Sequence, residues 1–151
     1  MRKMVLSILV DNTFGVLSRV AGLFSRRGYN IDSLTVGVTE ESNVSRMTVV
    51  VTGDEQILDQ IKRQLAKLED VREIKELPAG QSVSRERILV KVAVTPSDRQ
   101  SVISIADIFR AKIVDVAADS LMIELTGNEA KLAAFIELLR GYTIKEIART
   151  G

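Results

Sequence analysis

The 151 residues are 46% hydrophobic and 27% charged, a composition that builds a globular core and excludes a disordered chain. Twenty-one basic and 20 acidic side chains leave a net charge of +1, with 11 of each sign in residues 1–77 and then 10 basic and 9 acidic in residues 78–151. Neither half carries the positive field of a nucleic-acid-coating protein, and the absence of Cys and His removes disulfides, thiolate sites and the commonest general base.

The length allows one medium domain or two small ones of roughly 70 residues each. The apolar start, Met1 to Val10, ends at Asp11 without a small-residue cleavage pattern, so it reads as a strand rather than a secretion signal. No apolar run approaches the ~20 residues that cross a bilayer, and a cytoplasmic location with no membrane partner is expected. Carboxylates alone can still hold Mg²⁺ or move protons, but no Gly-rich phosphate loop, metal motif or nucleophile elbow accompanies them.

Val5 to Val10 is followed by the turn cluster Asp11-Asn12-Thr13-Phe14-Gly15. Val16, Leu17, Val20, Leu23 and Phe24 then recur at helical spacing, and Gly28 stops that helix. Ile31 to Val38 and Val44 to Thr52 read as strands around the turn Glu40-Glu41-Ser42-Asn43. Gly53-Asp54 caps a helix whose stripe is Leu58, Ile61, Leu65 and Leu68, with Asp70 as its breaker and Val71-Arg72-Glu73-Ile74 as a last strand. Residues 79–84 form a small polar linker.

The same β-α-β-β-α-β order then repeats. Ile88 to Val94 alternates, Pro96-Ser97-Asp98 opens a helix, and Lys112–Ala117 pairs with Leu121–Thr126. Asn128 caps a second helix, and Ile144 to Ala148 closes the unit. The halves also match in detail: Thr52-Gly53-Asp54-Glu55 mirrors Thr126-Gly127-Asn128-Glu129, and Val71-Arg72-Glu73-Ile74 mirrors Ile144-Lys145-Glu146-Ile147. The fold expected is α+β, two tandem ferredoxin-like units over residues 1–78 and 85–151. Each unit would leave one sheet face and its edges open. The run Met47–Val51 is apolar on both strand faces, so pairing with a second copy is expected.

The segment Asp11–Leu17 carries the most chemistry. A glycine at a helix start lets a ligand approach the backbone, and the N–H groups of Gly15, Val16 and Leu17 would point outward at the positive end of the helix dipole, where a carboxylate is favoured. Taken alone, Gly15 is better explained as a tight-turn residue. Asn30, just past the helix, offers an acceptor for an ammonium and donors for a carboxylate; taken alone, it is better explained as bonding local backbone. Glu40-Glu41 reads as a solvated tip, Arg46 as an exposed ion-pair partner, and Arg26-Arg27 as a solvated last turn. Phe14, Phe24, Phe109 and Phe135 are expected in the core or at its edge.

Asn12-x-x-Gly15-x-Leu17, the run Gly22 to Val36, Ser45-Arg46-Met47-Thr48 and the later stretch Ile108 to Val116 together closely resemble the small regulatory subunit of acetohydroxyacid synthase (acetolactate synthase). The resemblance covers the whole chain. It implies an N-terminal ACT domain over residues 1–78 and a homodimer that binds valine or another branched-chain amino acid between its ACT domains. It further implies a non-catalytic role in branched-chain amino acid biosynthesis: activating a larger catalytic subunit and making it sensitive to feedback inhibition. Thiamine diphosphate, Mg²⁺ and FAD are expected on that partner and no cofactor on this chain. Ligand positions carried over from the family are Asn12, Gly15, Val16 and Leu17 of one copy with Asn30 and Ile31 of the other; Asp11 and Gly37 are flanking variations. Two other readings compete. A nucleic-acid-binding ferredoxin-like module would show paired aromatics on its strands, which this sequence lacks. A stand-alone enzyme is disfavoured by the missing His and Cys.

Overall fold

The computed structural model describes residues 1–151. The chain divides into two compact units, Met1–Val83 and Ser84–Gly151. The division falls inside the polar connection, where Ala79–Gln81 makes a single 3₁₀ turn.

Unit 1 runs β1 (Arg2–Asp11), α1 (Val16–Arg27), β2 (Ile31–Val38), β3 (Val44–Gly53), α2 (Glu55–Ala66) and β4 (Val71–Glu76). The sheet order is β2-β3-β1-β4, antiparallel throughout. Alternation decides the faces: Met4, Leu6, Ile8 and Val10 of β1 and Met47, Val49 and Val51 of β3 are buried with Val20, Phe24, Leu58, Ile61 and Leu65 of the helices. On the other face Val5 pairs with Val50 and Ser7 with Thr48, so that surface is half apolar and carries no aromatic ring. Arg46 lies across it and donates from Nε to the Ser7 hydroxyl at 3.1 Å. It meets a hydroxyl there, where the sequence suggested an acid.

Helix α1 ends as its glycine requires. Gly28 has φ 70°; its N–H donates to the Ser25 carbonyl at 3.2 Å, and the Tyr29 N–H reaches back to Phe24 at 3.0 Å. The Phe24 and Tyr29 rings close the motif edge to face, 6.2 Å apart. Helix α2 is shorter than its apolar stripe suggests. It stops at Ala66, and Leu68 packs on the core from the following turn, because the core accepts an apolar side chain from either conformation.

Unit 2 repeats the plan with β5 (Glu86–Ala93), α3 (Arg99–Ile108), β6 (Lys112–Val116), β7 (Ser120–Gly127), α4 (Glu129–Leu139) and β8 (Thr143–Arg149), in sheet order β6-β7-β5-β8. Val90, Val92, Val102, Ile123, Leu132 and Phe135 centre its core, and Phe109 meets Phe135 edge to face at 5.3 Å. After α3 the left-handed stop is taken by Arg110, φ 58°, where unit 1 has glycine; a side chain there costs roughly 1–2 kcal/mol. No helix is long and apolar enough to cross a membrane.

Candidate functional site

Three of the four helices start after a residue of ordinary backbone conformation, whereas α1 follows Gly15 at φ 82°, ψ 0°. Asp54 and Asn128 cap α2 and α4 through side-chain oxygens that accept from Ile57 N–H and Lys131 N–H, each at 2.8 Å, with Glu55 and Glu129 in the first turns. The start of α1 has neither a capping side chain nor an acid. Its positive end is thus left for something else to neutralise.

The loop that presents this end is tied down on both sides. The Asn12 N–H donates to the Asn43 carbonyl at 2.8 Å and its carboxamide Nδ2 to the Ser42 carbonyl at 3.1 Å. Thr13 N–H closes a turn on Asp11. The first ladder bond of the helix runs from Arg19 N–H to the Gly15 carbonyl at 3.0 Å, which leaves the amides of Leu17 and Ser18 outside the ladder. One expectation is corrected here: the Val16 N–H is not free but makes a long turn bond of 3.4 Å to Thr13. The Val16 side chain is buried, so that residue meets the mouth through its backbone. Leu17 is half exposed beside it.

Phe14 is also corrected. It was expected in or near the core, and it is 100% exposed, unlike Phe24 and Phe135, which are fully buried, and Phe109, which packs against the core. The turn that gives Gly15 its left-handed conformation swings the preceding ring away from the core.

Asn30 and Ile31 sit at the opposite end of α1, whose 12 residues put about 18 Å of helix between them and Gly15. Asn30 Nδ2 donates to Asp32 at 3.3 Å, and Asp32 accepts from the Thr52 hydroxyl at 2.6 Å. Within one chain, therefore, Asn12, Gly15, Val16 and Leu17 come together and Asn30 and Ile31 do not join them. Asn30 lies exposed at the entry to β2, the outer strand of its sheet, where Val36 and Val38 are 46% and 62% exposed.

Sequence reasoning missed the ion pairs beneath the mouth. Arg19 forks onto the Asp70 carboxylate, Nε to Oδ2 at 2.5 Å and Nη2 to Oδ1 at 3.0 Å, while Arg72 pairs with Asp11 and the Asp11 N–H donates to the Asp70 carbonyl at 2.9 Å. The hydrogen bond from Arg19 holds the Asp70 carboxyl below its ordinary value. A hint existed, since Arg19 lies one turn after Gly15 and helical side chains lean back toward the N-terminus. Asp70, 51 residues away, left none.

Residues 6–73 match the family described as AHAS small subunit-like ACT domain, and residues 85–151 the family described as small subunit of acetolactate synthase. A probable acetolactate synthase small subunit of Archaeoglobus fulgidus is 51% identical over 149 residues, 99% of this chain and 93% of that one. The chain belongs to the acetolactate synthase small-subunit family. An acetolactate synthase small subunit of Mycolicibacterium smegmatis is 49% identical, over 97% of this chain and 86% of that one. The crystal structure of the acetolactate synthase small subunit from Thermotoga maritima superposes with a TM-score of 0.90 at 42% identity, covering 100% of this chain and 94% of that one.

The ACT-matched segment of this small subunit contains all six expected ligand positions. In the second unit α3 likewise starts without a side-chain cap or a first-turn acid, but it follows Asp98 in ordinary right-handed conformation where α1 follows a left-handed glycine. There the loop before α3 is closed by its own side chain: the Asp98 carboxylate accepts from the Thr95 N–H at 2.5 Å. The open cleft of about 340 Å³ beside it is lined by Thr95, Asp98, Asp119, Tyr142 and Lys145 among others, and Lys145 stands 3.9 Å from Asp119.

Proposed function

We propose that this small subunit is the amino-acid sensor of an acetolactate synthase: it binds free valine, or a related branched-chain amino acid, and through that binding controls a separate catalytic subunit that it otherwise activates. Catalysis, with thiamine diphosphate, Mg²⁺ and FAD, belongs to that partner in this reading. The observation that carries it is the uncapped, acid-free start of α1 behind a left-handed Gly15, in a chain related along its full length to acetolactate synthase small subunits.

A carboxylate is the natural counterpart of unladdered amides at the positive end of a helix. A small zwitterion cannot also reach Asn30 of the same chain across the length of α1, so the second half of the pocket comes from a second copy. The free outer edge of β2, with Val36 and Val38 exposed, supplies a pairing surface that would bring Asn30 and Ile31 of that copy toward the mouth. A ligand held between two copies binds in proportion to how well they are placed, which is the differential contact regulation requires. A coupling of about 1–3 kcal/mol gives a 5- to 150-fold response.

The test is reconstitution. The chain is added to a purified catalytic subunit, acetolactate formation is followed, and valine, leucine and isoleucine are titrated. Activation by the chain and inhibition by at least one of the three are expected. Full activity without the chain, or no response to any of them, would remove the proposal.

A further inference from the structure

Two of the three guanidinium nitrogens of Arg19 are committed. Nε and Nη2 fork onto Asp70, and Nη2 also donates to the Phe14 carbonyl at 3.2 Å. Nη1 has no protein acceptor, and it stands 3.0 Å from the point that a Cβ on residue 15 would occupy. The free corner of the guanidinium therefore lies against the backbone of the mouth. Gly15 suits this position for its left-handed conformation, and a Cβ there would press on this cation and need it to give by a few tenths of an ångström. Arg19 is also half exposed, with 48% of its side chain open to solvent, so the corner is reachable.

An arginine fixed on two sides has already given up the rotamer freedom that binding would otherwise cost, and its planar fork presents the third nitrogen in a set direction. We infer that Arg19 receives the carboxylate of the amino-acid effector, alongside the amides of the first turn of α1, and that Asp70 is the positioning residue that aims it. This rests on the effector reading above and adds a seventh residue to the site. Asp70 also cancels most of the charge of Arg19 at a distance. The mouth then selects a carboxylate delivered at the right spot instead of attracting anions at large, in keeping with the balanced charge of the unit.

Calorimetry on the full chain with two probes tests the inference: valine, and valinamide, which keeps the side chain and ammonium but lacks the negative charge. Arg19→Gln should lower valine affinity by roughly tenfold to a hundredfold, the size of one charge-assisted hydrogen bond, and leave valinamide nearly unchanged. Asp70→Asn should lower valine affinity in the same direction by less, which keeps the test usable if the first variant folds poorly. Equal losses for both probes would make Arg19 a merely structural residue and overturn the inference, as would an unchanged valine affinity in Arg19→Gln. A wild-type chain that binds no branched-chain amino acid overturns the effector reading itself; wild-type binding with an unaffected Arg19→Gln overturns this inference alone.

Discussion

At the scale of single residues, Gly15 and Asp70 carry the sharpest expectations. Replacing Gly15 with Asp places a side chain at φ 82°, with its Cβ 3.0 Å from Arg19 Nη1, and brings a carboxylate to the spot proposed for that of the ligand. Loss of valine inhibition is expected, with subunit association retained and a stability cost of roughly 1–2 kcal/mol for the left-handed conformation. An inhibition curve like that of the wild type would count against the site. Asn30→His should weaken valine binding in calorimetry, since the carboxamide is replaced while the Asp32–Thr52 bond beneath it stays. Asp70 makes a pH prediction. Arg19 lowers its pKa in the folded chain below the ordinary 3.8, so the unfolded chain binds the proton more readily. The contribution of the pair is then complete above pH 3.8 and is lost as pH falls from there toward the lowered value. Thermal melts of wild type and Asp70→Asn should differ at neutral pH and converge in acid; a constant gap would contradict the pairing.

At the scale of elements, the four helix starts are built in different ways. Asp54 and Asn128 each satisfy one first-turn amide, and Asp54→Ala or Asn128→Ala should cost about 1 kcal/mol in denaturant unfolding, without altering valine response. Helices α1 and α3 both forgo that stabilisation, and α1 alone starts behind a left-handed glycine. Its caps were legible in different degrees: Gly28 marked the stop because only a residue free of Cβ strain takes that conformation cheaply, while the mouth showed just a glycine in a turn. Periodicity located all eight strands and four helices to within a few residues, since alternation and 3.6-residue spacing are local consequences of burial on one face. It overran at α2, where Leu68 stays in phase with the core after the helix has ended.

At the scale of the whole molecule, each unit has its own closed core. A fragment of residues 1–83 should therefore unfold cooperatively by itself and still bind valine, while losing most of its ability to activate the catalytic subunit. A fragment that activated fully would show that the second unit is dispensable.

The repeat, the layer order, the capping residues and the full-length family resemblance could all be read from the chain alone, because each depends on neighbours a few positions apart or on matching segments. Tertiary structure alone decided the rest. The Arg19–Asp70 fork joins positions 51 apart. Phe14 is turned out by the backbone of the next residue, and about 18 Å of helix separates Gly15 from Asn30. Hydrophobic periodicity says which face of an element is buried, but not which polar group of another element will lie against it; that follows only once β1 and β4 are paired and their connecting turns meet.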